Sequence, residues 1–225
     1  MAAGSVTVSS RTPAPKGLTV RTLAIATASL RASDARLARV IDAVGPCTMV
    51  QPRTGTHFDA ISRSIVYQQL SGKAAGTIYD RFTKRCGIAG ALPTAMEVLA
   101  HDSETLRECG LSTAKTAAIR DLAQHVIDGR LPLDEIDALS DEAIIESLTR
   151  VRGIGRWTAQ MFLMFRLGRP DVLPVLDLGV RKGAQRIHNL RKLPDENRLE
   201  KLARPWAPWR SVASWYCWRV LELES

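Results

Sequence analysis

Apolar residues in this chain recur at intervals of three and four, and run after run is opened by a capping residue or closed by glycine or proline. That period marks amphipathic helices, and no long apolar–polar alternation of the kind a strand needs competes with it. Leu37, Val40, Ile41 and Val44 share one face and stop at Gly45-Pro46. Phe58, Ile61 and Ile65 repeat the pattern ahead of Gln68 and Gln69. Thr94 and Glu97 have capping-box spacing, Asp102 or Ser103 can open the next helix, and Ser112 opens one that Gly129 ends. Ser140 starts another, with Ile144, Ile145 and Leu148 on one face and acids in its first turn. The stretch from Val6 to Ser9 is too short and too terminal to found a sheet. The pattern predicts an all-α protein, and 225 residues, 45% of them hydrophobic, suffice for one domain or two small lobes.

Charge is unevenly placed. Residues 1–149 carry 16 basic and 16 acidic residues, whereas residues 150–225 carry 15 and 7, so the whole net charge of +8 sits in the last third. A basic field of that extent suits phosphate neutralisation, although a solvated basic face has the same composition. No apolar run approaches the roughly 18 residues of a membrane span. The opening residues, 1–19, mix Ser, Thr and Pro with basic residues and lack an apolar signal core, so they read as a mobile arm on a cytoplasmic protein. Cys47, Cys86, Cys109 and Cys217 show no C-x-x-C spacing, which leaves zinc and iron–sulfur sites without support and favours buried reduced thiols. His57, His101, His125 and His188 have no ligand spacing either.

The most specific segment runs from Leu148 to Ala159, L-T-R-V-R-G-I-G-R-W-T-A, between two amphipathic patterns. Gly153 and Gly155 permit a tight turn with positive φ while Ile154 plugs it into the core. A second helix then starts near Arg156 with its amides facing outward, suited to a phosphate. An ordinary helix–helix connection is the bland alternative. Pro170 ends that helix, Pro174 keeps the following stretch extended, and Asp177 opens a new helix beside Arg181 and Lys182. A helix cap is again the bland reading of Asp177. The sharper one is a fixed carboxylate facing an oxocarbenium-like sugar, which can also orient or deprotonate water. Two unit charges about 4 Å apart at an effective dielectric near 20 attract by roughly 4 kcal/mol, about a thousandfold in rate.

The hairpin followed by Asp177 resembles the helix-hairpin-helix DNA glycosylase superfamily. Three further segments, 65–75 (IVYQQLSGKAA), 110–115 (GLSTAK) and 206–211 (WAPWRS), make it similar to the bacterial DNA-3-methyladenine glycosylase II branch, which repairs alkylated DNA. The likeness covers roughly residues 30–221 and implies the short form, without the N-terminal β-domain some bacterial members carry. It implies a two-lobed all-α fold with the active cleft between lobes. One lobe would take residues 60–172 with the hairpin, and the other residues 20–59 plus 173–225 with the catalytic aspartate, Asp177. It further implies that Gly153, Ile154 and Gly155 bind a DNA phosphate. The carbonyls of Thr149, Val151 and Gly153 would supply a structural Na+ or K+ site, with no cofactor required. Relatives that also cut the strand carry a lysine where this chain has Trp157, so the chemistry should stop at an abasic site. Iron–sulfur relatives have clustered cysteines that this chain lacks.

Base extrusion needs a side chain that fills the hole. Gln69 falls where relatives place that wedge, with Leu70 as the aliphatic alternative and helix-end packing as the bland reading of both. Four of five tryptophans crowd into 206–218, where core is the ordinary role, but Trp218 falls at a pocket position of the resemblance. An electron-rich ring there would stack on a cationic alkylated base. Trp157 and Leu178 complete the expected pocket; relatives often have an aromatic residue where Leu178 stands, which implies a wider pocket. Arg156, Arg181, Lys182, Arg210 and Ser211 are the candidate further phosphate contacts, with solvated surface as the bland reading. The expected function is a monofunctional glycosylase acting on alkylated bases such as 3-methyladenine and 7-methylguanine in double-stranded DNA. It would work as a monomer at the bacterial nucleoid. A glycosylase for deaminated or oxidised bases, or a non-catalytic DNA-binding module, are the alternatives.

Overall fold

Capping chemistry sets most element boundaries, and the computed structural model, which describes residues 17–50 and 53–223, shows a side-chain cap at the start of every α-helix among them but Arg156–Met161 and Arg210–Val220. Twelve α-helices occur among the described residues: α1 Val20–Ser33, α2 Ala35–Val44, α3 His57–Tyr67, α4 Gly72–Cys86, α5 Ala95–Ala100 and α6 Ser103–Glu108 precede α7 Thr113–Ile127. After them come α8 Asp141–Thr149, α9 Arg156–Met161, α10 Leu178–Ile187, α11 Glu196–Leu202 and α12 Arg210–Val220. The Thr94–Glu97 capping box is formed, and Asp102, Ser112 and Ser140 each accept from the third residue of their helix. Gly45 and Gly129 end their helices at positive φ, which L side chains rarely adopt.

Two helix groups share the chain. In one, α1, α2, α10 and α12 pack together with α11 beside α10; in the other, α3 packs on α4 and α7, α7 on α5 and α6, and α8 on α9. The chain crosses to the second group at α3 and returns at α10, so the N-terminus of α10, capped by Asp177, lies where the two meet. The architecture is all-α and two-lobed. Trp206 and Tyr216 anchor the first group as its largest fully buried side chains, while Phe82, Ile119, Leu122 and Ile144 do so in the second. All four cysteines are free and buried.

Two expectations need correction. The mobile arm expected over residues 1–19 is too long at its end: Leu18 is buried and donates its N–H to Gly168, and Thr19 caps α1 through a capping box. The rest of the arm, including Val6–Ser9, lies outside the described residues. The second helix of the hairpin was read as ending at Pro170. Instead α9 widens into a π-helical turn, Phe162–Leu167, and Gly168 closes it at a φ of 67°. Such turns insert a residue into the helical spacing and redirect the side chains beyond it.

Candidate active site

Asp177 caps α10 and does more. Its Oδ1 accepts from the Val180 amide at 2.7 Å and from Trp218 Nε1 at 2.9 Å, while Oδ2 accepts from Trp157 Nε1 at 2.7 Å. The cap reading and the catalytic reading are thus compatible: the amide fixes the carboxylate on the helix, and two indoles from other elements fix its rotation. A carboxylate has about four lone-pair directions. Two on Oδ1 and one on Oδ2 are used, which leaves Oδ2 able to accept one more proton donor or to face a developing cation.

Trp218 reaches this carboxylate only because residue 179 is glycine. A Cβ on Gly179 would lie 2.7 Å from Trp218 Cδ1 and 3.1 Å from Asp177 Oδ1, closer than side chains tolerate. The Phe165 ring stacks on Trp218, with centroids 5.9 Å apart and planes inclined by 27°. Trp157, Phe165, Leu176 and Leu178 are all substantially exposed, although each is large and apolar. An exposed apolar ledge around a polar group is what a flat ligand stacks on. A cavity of about 290 Å³ between α3 and the α9–π segment, lined by Ala60, Arg63, Ser64, Met161 and Phe165 among others, shares Phe165 with the ledge.

The expected base pocket of Trp157, Trp218 and Leu178 is therefore assembled around Asp177, whereas Trp206, Trp209 and Trp215 are core. Phe165, Leu176 and Gly179 were not anticipated. Phe165 had a signal, since residues 157, 161 and 165 are spaced to share one helical face, and Gly179 had one in standing two residues after the aspartate.

The hairpin between α8 and α9 is tight. Gly153 has a φ of 79° with room for little else, since a Cβ there would sit 3.3 Å from Ala118. Gly155 differs from the expectation: its φ is −93°, and it is the extended N-cap of α9 with no side-chain cap and open space around it. Ile154 is buried as the plug. Across from the hairpin, the turn after α3 carries Gln69 at a φ of 57°, a left-handed conformation unusual for a residue with a side chain, and exposes both Gln69 and Leu70.

Residues 62–208 match the profile of the HhH-GPD superfamily of base excision DNA repair proteins. The chain belongs to the HhH-GPD superfamily. It is 33% identical over 195 residues to the alkylbase DNA glycosidase-like protein mag2 of Schizosaccharomyces pombe, covering 86% of this chain and 92% of that one. With DNA-3-methyladenine glycosylase 1 of the same yeast it shares 39% identity over 167 residues, 74% of this chain and 73% of the relative. Among solved structures it resembles the 3-methyladenine DNA glycosylase Mag1 of that yeast in complex with abasic DNA, with a TM-score of 0.74, 35% identity and coverage of 88% and 97% of the two chains. It also resembles the DNA-3-methyladenine glycosidase of Bacillus halodurans, with a TM-score of 0.78, 37% identity and coverage of 87% and 88%.

In this HhH-GPD protein the expected phosphate contacts divide. Lys182 is exposed; Arg181 is half-buried and spends its Nε on the Pro194 carbonyl at 2.8 Å. Arg156 is exposed and pairs with Glu142 at 2.9 and 3.1 Å, an ion pair that a phosphate can displace at little cost. Ser211 is a correction: it is fully buried, accepts from the Val172 amide and donates to the Arg169 carbonyl, so its hydroxyl cannot reach DNA. Arg210 is another, because its guanidinium grips Asp171 in a two-pronged pair at 2.6 and 2.7 Å. Together they brace residues 169–172, the approach to Asp177. Of the carbonyls expected around a cation, that of Gly153 accepts from Gln68 Nε2 at 3.1 Å and that of Val151 from the Ile154 amide. Each keeps a second lone pair, and with the Thr149 carbonyl these would be the groups to hold a Na+ or K+.

Proposed function

We propose that this protein is a monofunctional DNA glycosylase that hydrolyses the N-glycosidic bond of alkylated bases, 3-methyladenine and 7-methylguanine among them, in double-stranded DNA. The observation that carries the reading is the Asp177 carboxylate, held by two indole N–H groups beside an exposed aromatic ledge. The names of the relatives point to the same substrate class.

The hairpin amides of Gly153, Gly155 and Arg156 and the side chains of Arg156, Arg181 and Lys182 hold the backbone, while the Ile154 amide, expected among them, is taken by the Val151 carbonyl. Gln69, or Leu70 beside it, enters the stack as the damaged nucleotide swings out. Its base, cationic when alkylated at N3 or N7, lies against Trp218, Phe165 and Trp157 and is attracted by their electron-rich faces. Because that base departs neutral, no general acid is required. As the bond to the sugar stretches, positive charge develops on the deoxyribose, and Asp177 stabilises it. The free lone pair on Oδ2 takes a proton from, or orients, the water that adds to the sugar. Trp157 offers no amine for a Schiff base, so the product is an abasic site. The protein acts as a monomer wherever the DNA is, in a bacterium at the nucleoid of the cytoplasm. No helix among the described residues is long and apolar enough to cross a membrane. The lobe boundaries are inferred to fall near residues 60 and 173.

Mass spectrometry of bases released from methylated duplex DNA tests the reading. Wild-type protein should release alkylated bases without cutting the strand. Asp177→Asn should lose activity by about a thousandfold while still binding DNA. Base release that survives in Asp177→Asn would overturn the assignment.

A further inference from the structure

Lys115 stands on the first turn of α7, where a basic residue of a DNA-binding protein would ordinarily reach for phosphate. It is turned inward instead. Its Nζ donates to the Val66 carbonyl at 2.6 Å and to the Gln68 carbonyl at 2.8 Å. These carbonyls end α3, where no further helical amides satisfy them and the helix dipole is negative. Burial holds the Lys115 ammonium below the usual lysine range, and no carboxylate pairs with it among the described residues. The half-buried ammonium is thereby committed to two carbonyls of the α3 C-terminus rather than to solvent or a phosphate.

Gln68, which bears the second of those carbonyls, directly precedes the wedge. Its side-chain amide crosses to the hairpin and donates to Gly153. The hairpin is tied back to α7 as well, since the Arg152 amide donates to Asp121 Oδ2 at 2.7 Å. One helix thus holds the wedge turn through Lys115 and the hairpin through Asp121, and Gln68 closes the loop between them. Gln69 follows directly, exposed and in a left-handed conformation. Such a conformation persists where the surroundings over-determine it.

We propose that Lys115 and Gln68 form a brace that locks the wedge turn to the phosphate-binding hairpin, making both positioning residues for base extrusion. The hairpin seats on a phosphate, and the brace converts that seating into a defined position of Gln69 relative to the stack. Without it, the wedge lags while the chemistry at Asp177 is untouched. This inference rests on the glycosylase reading above and adds to it how the two DNA-contacting loops are coupled.

The test compares single-turnover release of the same alkylated base from paired duplex and from single-stranded DNA, in which there is no partner to displace. Lys115→Met and Gln68→Ala should lower the duplex rate by about ten- to a hundredfold, as expected of a misplaced positioning group, and leave the single-strand rate within about twofold. Lys115→Arg, which can still donate to both carbonyls, should restore most of the duplex rate. The fluorescence rise of 2-aminopurine placed beside the target, which reports unstacking, should shrink in parallel. If both substrates slow alike in both variants, or if neither slows, the brace has no part in extrusion and the proposal fails. Should Lys115→Met unfold, Gln68→Ala, which removes one surface amide, decides the question alone. Wild-type protein that released no base from either substrate would refute the glycosylase reading. The 2-aminopurine signal on DNA binding would then still judge the brace.

Discussion

At the scale of single residues, the site depends on hydrogen bonds from two indoles and on a missing methyl. Trp157→Phe keeps a ring on the ledge and removes only the donor to Asp177 Oδ2. A hydrogen bond to a charged group is worth roughly 1.5–3 kcal/mol, so base release should fall about ten- to a hundredfold with little change in DNA affinity, measurable by single-turnover kinetics beside a binding titration. Gly179→Ala tests the other indole. Its new Cβ would collide with Trp218, and the ring must move off the carboxylate, since the remaining neighbour is Asp177 itself. Activity should drop by a similar factor while the unfolding temperature stays within a few degrees, since Gly179 is only half-buried. That Asp177 opens α10 was legible in the sequence as a helix cap, while its catalytic role is proposed from the resemblance and from the two indoles that fix it. Gly179 was not legible as a spacer, because its necessity comes from a side chain 39 positions away.

Elements meet most closely where α10 crosses α12. A Cβ on Gly183 would lie 2.0 Å from the Cys217 carbonyl oxygen, a backbone atom that cannot step aside. Gly183→Ala should therefore separate the two helices and destabilise the protein by about 2 kcal/mol or more, seen as a lower urea midpoint. Its effect contrasts with that of Gly179→Ala, although the two glycines share a helix: one carries the packing, the other the site. The same helix crossing brings Trp218 to Asp177, so the stability of the α10–α12 contact and the geometry of the site are linked. Caps, glycine stops and the hairpin plug were readable as local patterns. The π-helical turn at Phe162–Leu167 was not, since a single inserted residue leaves the apolar spacing nearly unchanged.

Across the whole molecule, charge and protonation set the conditions for folding and binding. His188, buried against Trp206 and 3.5 Å from Asp34, and His57, between Arg166 and Asp137, are both held below the ordinary imidazole range, chiefly by burial. Their folded forms bind protons less readily than the unfolded chain does, with its histidines near 6.5. Stability contributed by the neutral rings is thus complete above about pH 6.5 and is lost as the pH falls below it, which urea midpoints between pH 8 and 5 should show. The basic last third predicts strong salt dependence of DNA affinity. Lys182→Ala should lower the slope of log affinity against log salt by about one, whereas Arg210→Ala should leave it unchanged, because that guanidinium is already committed to Asp171.

The sequence by itself determined the helices, most of the caps that bound them and the hairpin with its Ile154 plug. Each of these is written within a few neighbouring residues, where periodicity and turn chemistry act. Only the tertiary structure decided which of the expected phosphate contacts face outward: Ser211 is buried and Arg210 paired, since their partners at 169–172 come from a distant segment. It alone also placed Trp157 and Trp218 on the two oxygens of Asp177, and turned Lys115 from the surface toward the carbonyls of α3. Partner choice between residues far apart in the chain depends on how helices cross, and no local pattern records a crossing.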